Sequence, residues 1–230
     1  MTAVFFDIDG TLICTAGAGQ DAMASAVAQC FGVPADRAGV TFAGRTDRSI
    51  VLDLFALHDI PSTEQNIATF VRRFVELLPE HLQAKQGRVL PGVSTWLQRL
   101  GARDDLYLGL ITGNLHRTAH LKLEHYGISS YFHNGAGLRG GFGDDHVERD
   151  DVARMAMVQL RGLRANIVAS EQVWVVGDTT RDIQCARAIG ARVIAVATGG
   201  HDRSTLAAAR PDVLVDDLTQ ATECLDEWLQ

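Results

Sequence analysis

The chain opens on a short apolar run, residues 3–6, that ends at two aspartates separated by one isoleucine. Uninterrupted apolar runs with aromatic and β-branched members are typical of strands buried on both faces, as in a parallel sheet. Side chains two apart on extended backbone share a face, so Asp7 and Asp9 can address one point. A solvated turn is the alternative, but carboxylates at the end of a buried strand are costly unless a cation or a reaction uses them. We therefore expect a functional site there.

Residues 14–86 carry no strand pattern. Helical patterns cover residues 20–31, 47–58 and 63–82, with Gly32 ending the first and Pro79 kinking or ending the third. This arrangement predicts an all-helical cap domain, residues 15–86, inserted after the first strand. Residues 1–14 and 87–230 would then form the catalytic core.

From Val89 onward, short apolar runs alternate with helical segments. Strands are predicted over residues 106–111, 173–176, 192–197 and 213–215, with a weak strand over 131–133 ahead of a glycine-rich loop, 135–143. Helices are predicted from Pro91-Gly92 to about 102, and over 115–126, 150–163, 183–189, 204–209 and 219–229. Such alternation implies right-handed crossovers and an α/β fold with a doubly wound, Rossmann-like parallel sheet. Ligands bind at the carboxyl ends of such strands, where Asp7, Thr112 and Asp178 would meet.

Composition argues against several classes of partner. Lysines and arginines number 21 and acids 28, which gives a net charge of −7 without blocks of like charge. Nucleic acids and anionic membranes require a basic surface, so neither is expected as a partner. The chain shows no basic-then-apolar leader and no run of about 18 apolar residues. The four cysteines are scattered along the chain at Cys14, Cys30, Cys185 and Cys224. This spacing favours free thiols in a reducing compartment, so we expect a cytoplasmic protein.

Three motifs occur in order along the chain: Asp7-Ile8-Asp9-Gly10-Thr11-Leu12, Ile111-Thr112-Gly113-Asn114 and Gly177-Asp178-Thr179-Thr180-Arg181-Asp182. Together they resemble the haloacid dehalogenase superfamily, and more closely its capped phosphatase branch, which includes phosphoglycolate phosphatase. The resemblance spans the whole chain, with core motifs at both ends and a helical segment of suitable length between them. It implies a hydrolase of phosphoric monoesters with a Rossmann-like core and a helical cap.

The resemblance assigns roles to the acids. Asp7 would be the nucleophile that forms an aspartyl-phosphate, and Asp9 would be the general acid and base. Two carboxylates facing a phosphate dianion need a cation, and oxygen ligands of this kind suit Mg²⁺. The implied metal ligands are the carboxylates of Asp7 and Asp178 and the backbone carbonyl of Asp9. Asp182 either supports these ligands or binds the metal directly, unless it is a simple helix-capping acid.

The resemblance also implies contacts to the phosphate group. Thr112, Gly113 and Asn114 would bind phosphate oxygens, although a strand-end threonine is also a common helix cap. A cation that stabilises the nucleophile is expected just before a helix ahead of the fourth strand, where Arg149 lies. Lys122 is the alternative cation, unless it is an ordinary solvated lysine.

Two further features of the chain allow opposing interpretations. Arg45 of the cap would meet a substrate carboxylate or phosphate, or else lie on the surface ahead of a helix. His116 and His120 lie four residues apart, a spacing that can hold zinc. No third ligand is evident for them, and solvated helix positions are the alternative.

The sequence therefore predicts a Mg²⁺-dependent phosphatase of small-molecule phosphate esters, whose cap closes by hinging near residues 15–19 and 86–92. A phosphomutase would share the core residues, and a non-catalytic phosphometabolite-binding protein could keep the fold. Asp9 argues against a dehalogenase, while chain length and the helical insertion argue against a phosphoacceptor signalling module. Phosphoglycolate, sugar phosphates and nucleotides all stay open as substrates, and so do a monomer and a homodimer.

Overall fold

The computed structural model describes residues 2–133, 135, 137–163 and 169–220. The strands are β1 (Thr2–Phe6), β2 (Ile13–Cys14), β3 (Arg88–Val89), β4 (Leu106–Ile111), β5 (Gly140–Gly141), β6 (Val173–Gly177), β7 (Arg192–Val196) and β8 (Val213–Val215). The helices are α1 (Ala18–Phe31), α2 (Asp47–Leu57), α3 (Glu64–Ala84), α4 (Val93–Gly101), α5 (His116–His125), α6 (Arg149–Leu163), α7 (Thr180–Ala188) and α8 (Arg203–Ala208). The predicted helix over 219–229 lies outside these residues, apart from its first two positions. No helix in the described ranges is both long and apolar enough to cross a membrane.

Six strands form a parallel sheet in the order β5-β4-β1-β6-β7-β8. The central strand, β1, is buried along its whole length and pairs with β4 and β6. Phe6 lies opposite Leu110 and Val176, so these three strands end at the same level. The predicted doubly wound α/β fold is confirmed, and the residues that follow the three strands share one edge of the sheet.

Helices cover both faces of the sheet. Successive side chains of β1 point to opposite faces, as extended backbone requires. Val4 and Phe6 pack on one face in a cluster with Trp96 of α4. Ala3 and Phe5 pack on the other face, in a cluster formed with α6 and α7. The sheet is therefore packed on both faces along the strands that precede the functional residues.

Helices α1, α2 and α3 share a separate apolar cluster that includes Phe55 and Phe70. Helix α1 ends at Gly32, whose φ of 68° is readily adopted only by glycine. Helix α3 continues through Pro79 to Ala84, so the expectation that Pro79 could end the helix is wrong. Strands β2 and β3 pair antiparallel and bring the two connections of this helical segment side by side. The domain boundaries at 15 and 86 stay a prediction.

The region between α5 and α6 differs most from the sequence-based expectation. The predicted strand over 131–133 is wrong: Ser129–Phe132 is a 3₁₀ helix, and His133 makes only an isolated bridge to Leu138. The glycine-rich loop instead supplies an edge strand, Gly140–Gly141, that pairs with β4. At Gly140 a Cβ would collide with the backbone of Leu110, so close pairing there requires glycine.

Candidate active site

Three buried carboxylates meet at the carboxyl end of the sheet. Asp7 follows β1, Asp178 follows β6, and Asp182 lies in the first turn of α7. Carboxylate oxygens of the three lie within 4.8 Å of one another, the one such group of possible metal ligands among the described residues. The topology thus brings together acids that are 171 and 175 positions apart in sequence, since 178 − 7 = 171 and 182 − 7 = 175.

Burial and mutual repulsion change how these acids titrate. Burial raises the pKa of Asp7 to about 6, with Arg149 opposing the shift and the charges of Asp182 and Asp9 adding to it. Burial raises the pKa of Asp178 to about 8, and the neighbouring charges of Asp182 and Asp7 add to that shift. Because these carboxylates have little positive charge beside them, their oxygens suit a hard divalent cation such as Mg²⁺.

Arg149 is the cation nearest the buried acids. It begins α6 and is itself buried, with Nη2 3.0 Å from Oδ1 of Asp7 and 2.5 Å from Oδ1 of Asp182. Nη2 also donates to the carbonyl of Ile111. Burial opposes its charge, but Asp182 and Asp7 raise the pKa of Arg149 well above its ordinary value. Its Nε is buried without a hydrogen-bond partner.

Lys122 is the second cation of the site, and its interpretation as a solvated lysine is wrong. The residue is 5% exposed, and its Nζ lies 2.6 Å from Oδ2 of Asp9 and 2.6 Å from Oδ1 of Asn114. The sequence held a signal for its burial but not for its partner, because Lys122 falls among the residues of α5 that recur at helical spacing on the buried face. They are Thr118, Ala119, Lys122 and Leu123.

Asn114 connects the second motif to Asp9. Its Nδ2 donates to Oδ2 of Asp9 at 2.8 Å and lies 2.8 Å from Oγ1 of Thr112. Thr112 is fully buried and also accepts from the backbone N–H of Asn114. Gly113 and Asn114 line the cavity described below, whereas Thr112 is not among its lining residues. The predicted contact of Thr112 with phosphate stays a prediction.

Asp182 is held by the start of its own helix. Its Oδ2 accepts from the backbone N–H of Thr179 at 2.9 Å and from its Oγ1 at 2.7 Å, forming a capping box. The charged guanidinium of Arg149 occupies Oδ1 of Asp182, whereas the hydrogen-bond donors to Asp178 are neutral. This arrangement favours a supporting role over direct metal binding, although both stay predictions.

A glycine loop after β7, which the sequence analysis missed, encloses Asp178. The Oδ1 of Asp178 accepts from Oγ1 of Thr11 at 3.0 Å, and its Oδ2 accepts from the backbone N–H of Gly200. A Cβ at Gly10 or Gly199 would collide with the Asp178 carboxylate. The available sequence signal was the Gly199-Gly200 pair, which follows a buried strand at the carboxyl edge of the sheet.

The loop that enters α2 packs on the second motif. The backbone N–H of Asp47 donates to the carbonyl of Gly113 at 2.6 Å. The Asp47 carboxylate accepts from the backbone N–H of Leu115 at 2.9 Å and from Oγ1 of Thr118 at 3.2 Å. Burial raises the pKa of Asp47 to about 6, with Lys122 opposing the shift. Asp47 therefore joins the helical segment to the start of α5, a role that sequence reasoning missed.

Arg45 lies in the same loop, but its guanidinium is held by its own helix. Nε donates to Oγ of Ser49 and Nη2 donates to the Ser49 carbonyl, each at 3.2 Å. Nη1 forms an ion pair with Asp53. Arg45 lines the cavity, and its predicted contact with substrate stays a prediction.

A cavity of about 260 Å³ lies between the helical segment and the carboxyl edge of the sheet. The core contributes its floor, which carries the charged groups described above. They are Asp7, Asp9, Lys122, Arg149 and Asp178. The facing wall comes from α1, α2 and the loop between them, so a small molecule bound here would contact both parts of the chain.

Comparison with known proteins identifies the family. The model of the haloacid dehalogenase-like hydrolases matches residues 4–196, which include all three motifs. This chain belongs to that family.

This haloacid dehalogenase-like hydrolase matches two phosphoglycolate phosphatases over nearly their whole length. It is 29% identical to the phosphoglycolate phosphatase of Synechococcus elongatus, over 96% of this chain and 97% of that protein. It is 30% identical to the phosphoglycolate phosphatase of Chromobacterium violaceum, over 95% of this chain and 93% of that protein. A hydrolase structure from Pseudomonas syringae shares the fold, with a TM-score of 0.70, 21% identity and 99% coverage of both chains. The predicted enzyme class, a phosphatase, is confirmed.

Two other sequence-based expectations concern groups outside this cavity. His120 lies against His133, with ring nitrogens 3.4 Å apart, and His116 packs on Phe142. Within the described residues these histidines belong to no group of three possible metal ligands, so the zinc interpretation gains no support. Cys14, Cys30 and Cys185 are free thiols, and Cys224 lies outside the described residues.

Proposed function

We propose that this hydrolase is a Mg²⁺-dependent phosphatase of small phosphate monoesters that works through an aspartyl-phosphate on Asp7. The observation that supports this most is the pairing of each motif aspartate with its own cation. Asp7 lies 3.0 Å from Arg149, and Asp9 lies 2.6 Å from Lys122. Two carboxylates on one turn are thereby held in different environments, as two different roles require.

The metal would be held by the carboxylates of Asp7 and Asp178 and by the backbone carbonyl of Asp9. The raised pKa values of Asp7 and Asp178 fit this assignment, because a divalent cation would offset the charge that burial disfavours. Bound Mg²⁺ would neutralise charge on the carboxylates and on the transferring phosphoryl group. Asp182, with both oxygens engaged, would hold Arg149 in place.

In the first half-reaction an oxygen of Asp7 attacks phosphorus and the ester P–O bond breaks. The departing alkoxide takes a proton from Asp9, so the alcohol leaves neutral. In the second half-reaction Asp9 takes a proton from a water molecule whose oxygen attacks the same phosphorus. The Asp7–phosphorus bond breaks, inorganic phosphate leaves, and both aspartates return to their initial states.

Positioning by the chain's own groups would supply much of the rate. Lys122 and Asn114 both bond to Oδ2 of Asp9, which leaves Oδ1 to exchange the proton. Arg149 holds Asp7 and places a positive charge next to the carboxylate that would attack phosphorus. The packing of Asp47 on Gly113 closes the site on one side and excludes water during the first transfer.

The experiment is phosphate release from p-nitrophenyl phosphate with Mg²⁺ and with a chelator. Asp7→Asn should abolish turnover and prevent phosphoryl transfer to the protein, which intact-mass spectrometry after acid quenching detects in the parent enzyme. Asp145→Asn is the matched control, because Asp145 is exposed and outside the cavity. Turnover by Asp7→Asn at the parent rate would contradict the mechanism. Transfer of phosphate within a sugar phosphate, without release, would instead indicate a phosphomutase.

A further inference from the structure

The wall of the cavity that faces the aspartates carries three polar residues, Gln20, Arg45 and Asp47, and an apolar part. The apolar part is formed by Met23 on α1, Phe42 in the following loop and Ile50 on α2, and we call it the apolar wall. Met23 and Ile50 belong to the buried cluster of the helical segment, and Phe42 packs against that cluster. If the phosphate group binds at Asp7, the alcohol part of the ester projects away from the core toward this wall.

Every cation that lines the cavity is already paired with a carboxylate of the protein. Lys122 is paired with Asp9. Arg149 is paired with both Asp7 and Asp182.

Arg45 completes the set, and its guanidinium is bound to Asp53 and to Ser49. Among the described lining residues, none offers an unpaired positive charge to the alcohol part of a substrate.

The charges of the site also oppose a second anionic group. Three cations, Arg45, Lys122 and Arg149, stand against six carboxylates, an excess of three negative charges. The six are Asp7, Asp9, Asp47, Asp53, Asp178 and Asp182. When Asp9 carries the proton that it donates, five carboxylates remain, an excess of two negative charges that Mg²⁺ and a phosphate dianion together leave unchanged. A carboxylate on the alcohol would add a third negative charge beside the apolar wall, without an unpaired cation to offset it.

We propose that this phosphatase selects phosphate esters of uncharged alcohols with an apolar part, and discriminates against phosphoglycolate, whose alcohol carries a carboxylate. The inference rests on the proposed function and names its substrate class. The apolar wall sets the selectivity, because contact with Met23, Phe42 and Ile50 favours each added methylene group by about fourfold in kcat/KM. The preference thus differs from the activity for which the relatives are named.

Three esters of nearly the same shape test the inference on the parent enzyme. They are phosphoglycolate, the phosphate ester of glycolamide, and isobutyl phosphate, which place a carboxylate, a neutral amide and a branched alkyl group at the same position. We expect kcat/KM to rise in that order, with at least a tenfold difference between the first and the last. Phosphoglycolate hydrolysed as well as isobutyl phosphate, or better, would overturn the inference.

A variant pair tests the role of the wall. Phe42→Lys should raise kcat/KM for phosphoglycolate relative to isobutyl phosphate by at least tenfold, while Phe42→Leu should keep the parent order. Phe42 lies in a loop and is only partly buried, and thermal denaturation establishes that each variant folds. If Phe42→Lys does not fold, the ester series on the parent enzyme still decides. Hydrolysis of p-nitrophenyl phosphate with phosphoglycolate preferred would refute this inference alone, whereas no hydrolysis of any ester would refute the proposed function and the inference with it.

Discussion

Lys122 offers the sharpest test of the site, because the chain contains only one other lysine, Lys85. Both lysines form an ion pair of 2.6 Å, Lys122 with Asp9 and Lys85 with Asp21. The pairs differ in burial: the Lys122 side chain is 6% exposed and that of Lys85 is 37% exposed. Lys122→Met and Lys85→Met therefore make the same chemical change at a buried lysine of the candidate site and at an exposed lysine outside it.

The structure gives the expected size of each effect. Lys122 makes two hydrogen bonds, to Asp9 and to Asn114, and a charged bond contributes about 1.5–3 kcal/mol. The Asp9 side chain is 40% exposed, so water replaces part of that energy and we expect a stability loss of about 1–2 kcal/mol. In Lys122→Met, Asp9 stays present but loses its charged hydrogen-bond donor. We therefore expect kcat to fall about 10- to 100-fold, part of the roughly 10²–10⁴-fold that general acid–base catalysis supplies.

The assay combines kcat and KM for p-nitrophenyl phosphate at saturating Mg²⁺ with urea denaturation of each variant. Lys85→Met should keep the parent kcat and lose at most about 1 kcal/mol of stability, as exposed ion pairs do. Lys122→Met that is less stable but retains the parent kcat would refute the argument that this pair positions Asp9. The lysine would then be a structural residue only.

Two further predictions concern charge and the contact between the helical segment and the core. Because burial raises the pKa of Asp178 to about 8, its proton is held only in the folded state between about pH 4 and pH 8. The free energy of unfolding without metal should thus fall by about 2–3 kcal/mol between pH 6 and pH 8, and the increase in Tm caused by Mg²⁺ should grow. Asp178→Asn should lose most of this dependence and keep the smaller part that Asp7 and Asp47, whose pKa values are raised to about 6, contribute. An equal Mg²⁺ effect at both pH values would contradict the prediction. At Gly113 a Cβ would collide with the carbonyl of Arg45, so Gly113→Ala should lower kcat/KM about tenfold. Gly162→Ala, in open space on α6, should have no effect, and parent kcat/KM in Gly113→Ala would show that turnover does not need this contact.

The sequence predicted the elements whose residues are buried on both faces. Strand β4 has the predicted bounds, Leu106–Ile111, because an apolar run of that length fits only a central strand flanked by turns. The two-residue strands β2, β3 and β5 were missed, since two residues carry no period. Strand β5 in particular consists of two glycines, whose extended backbone is imposed by its neighbour β4 and not by side chains.

The site residues that follow strand ends were predictable from the sequence, whereas the partners of the site residues on helices were not. Asp7 and Asp178 follow buried parallel strands, so topology alone predicts that they meet. Lys122 lies on the buried face of α5, where a helical pattern predicts an apolar residue. Its burial depends on Asp9, 113 positions earlier, and no local pattern predicts such a partner.

The unequal exposure of the two motif aspartates supports the roles proposed for them. Asp7 has a side chain 7% exposed and bound to Arg149, whereas Asp9 has a side chain 40% exposed and bound to Lys122. A nucleophile benefits from exclusion of water, because water would compete for phosphorus and weaken the electrostatic contacts at the site. An acid and base must instead exchange its proton with solvent between the two half-reactions, which a partly exposed carboxylate can do. If the roles were exchanged, the buried Asp7 would have to exchange its proton with solvent and the solvent-exposed Asp9 would be the nucleophile. The geometry therefore favours attack by Asp7 and proton transfer by Asp9.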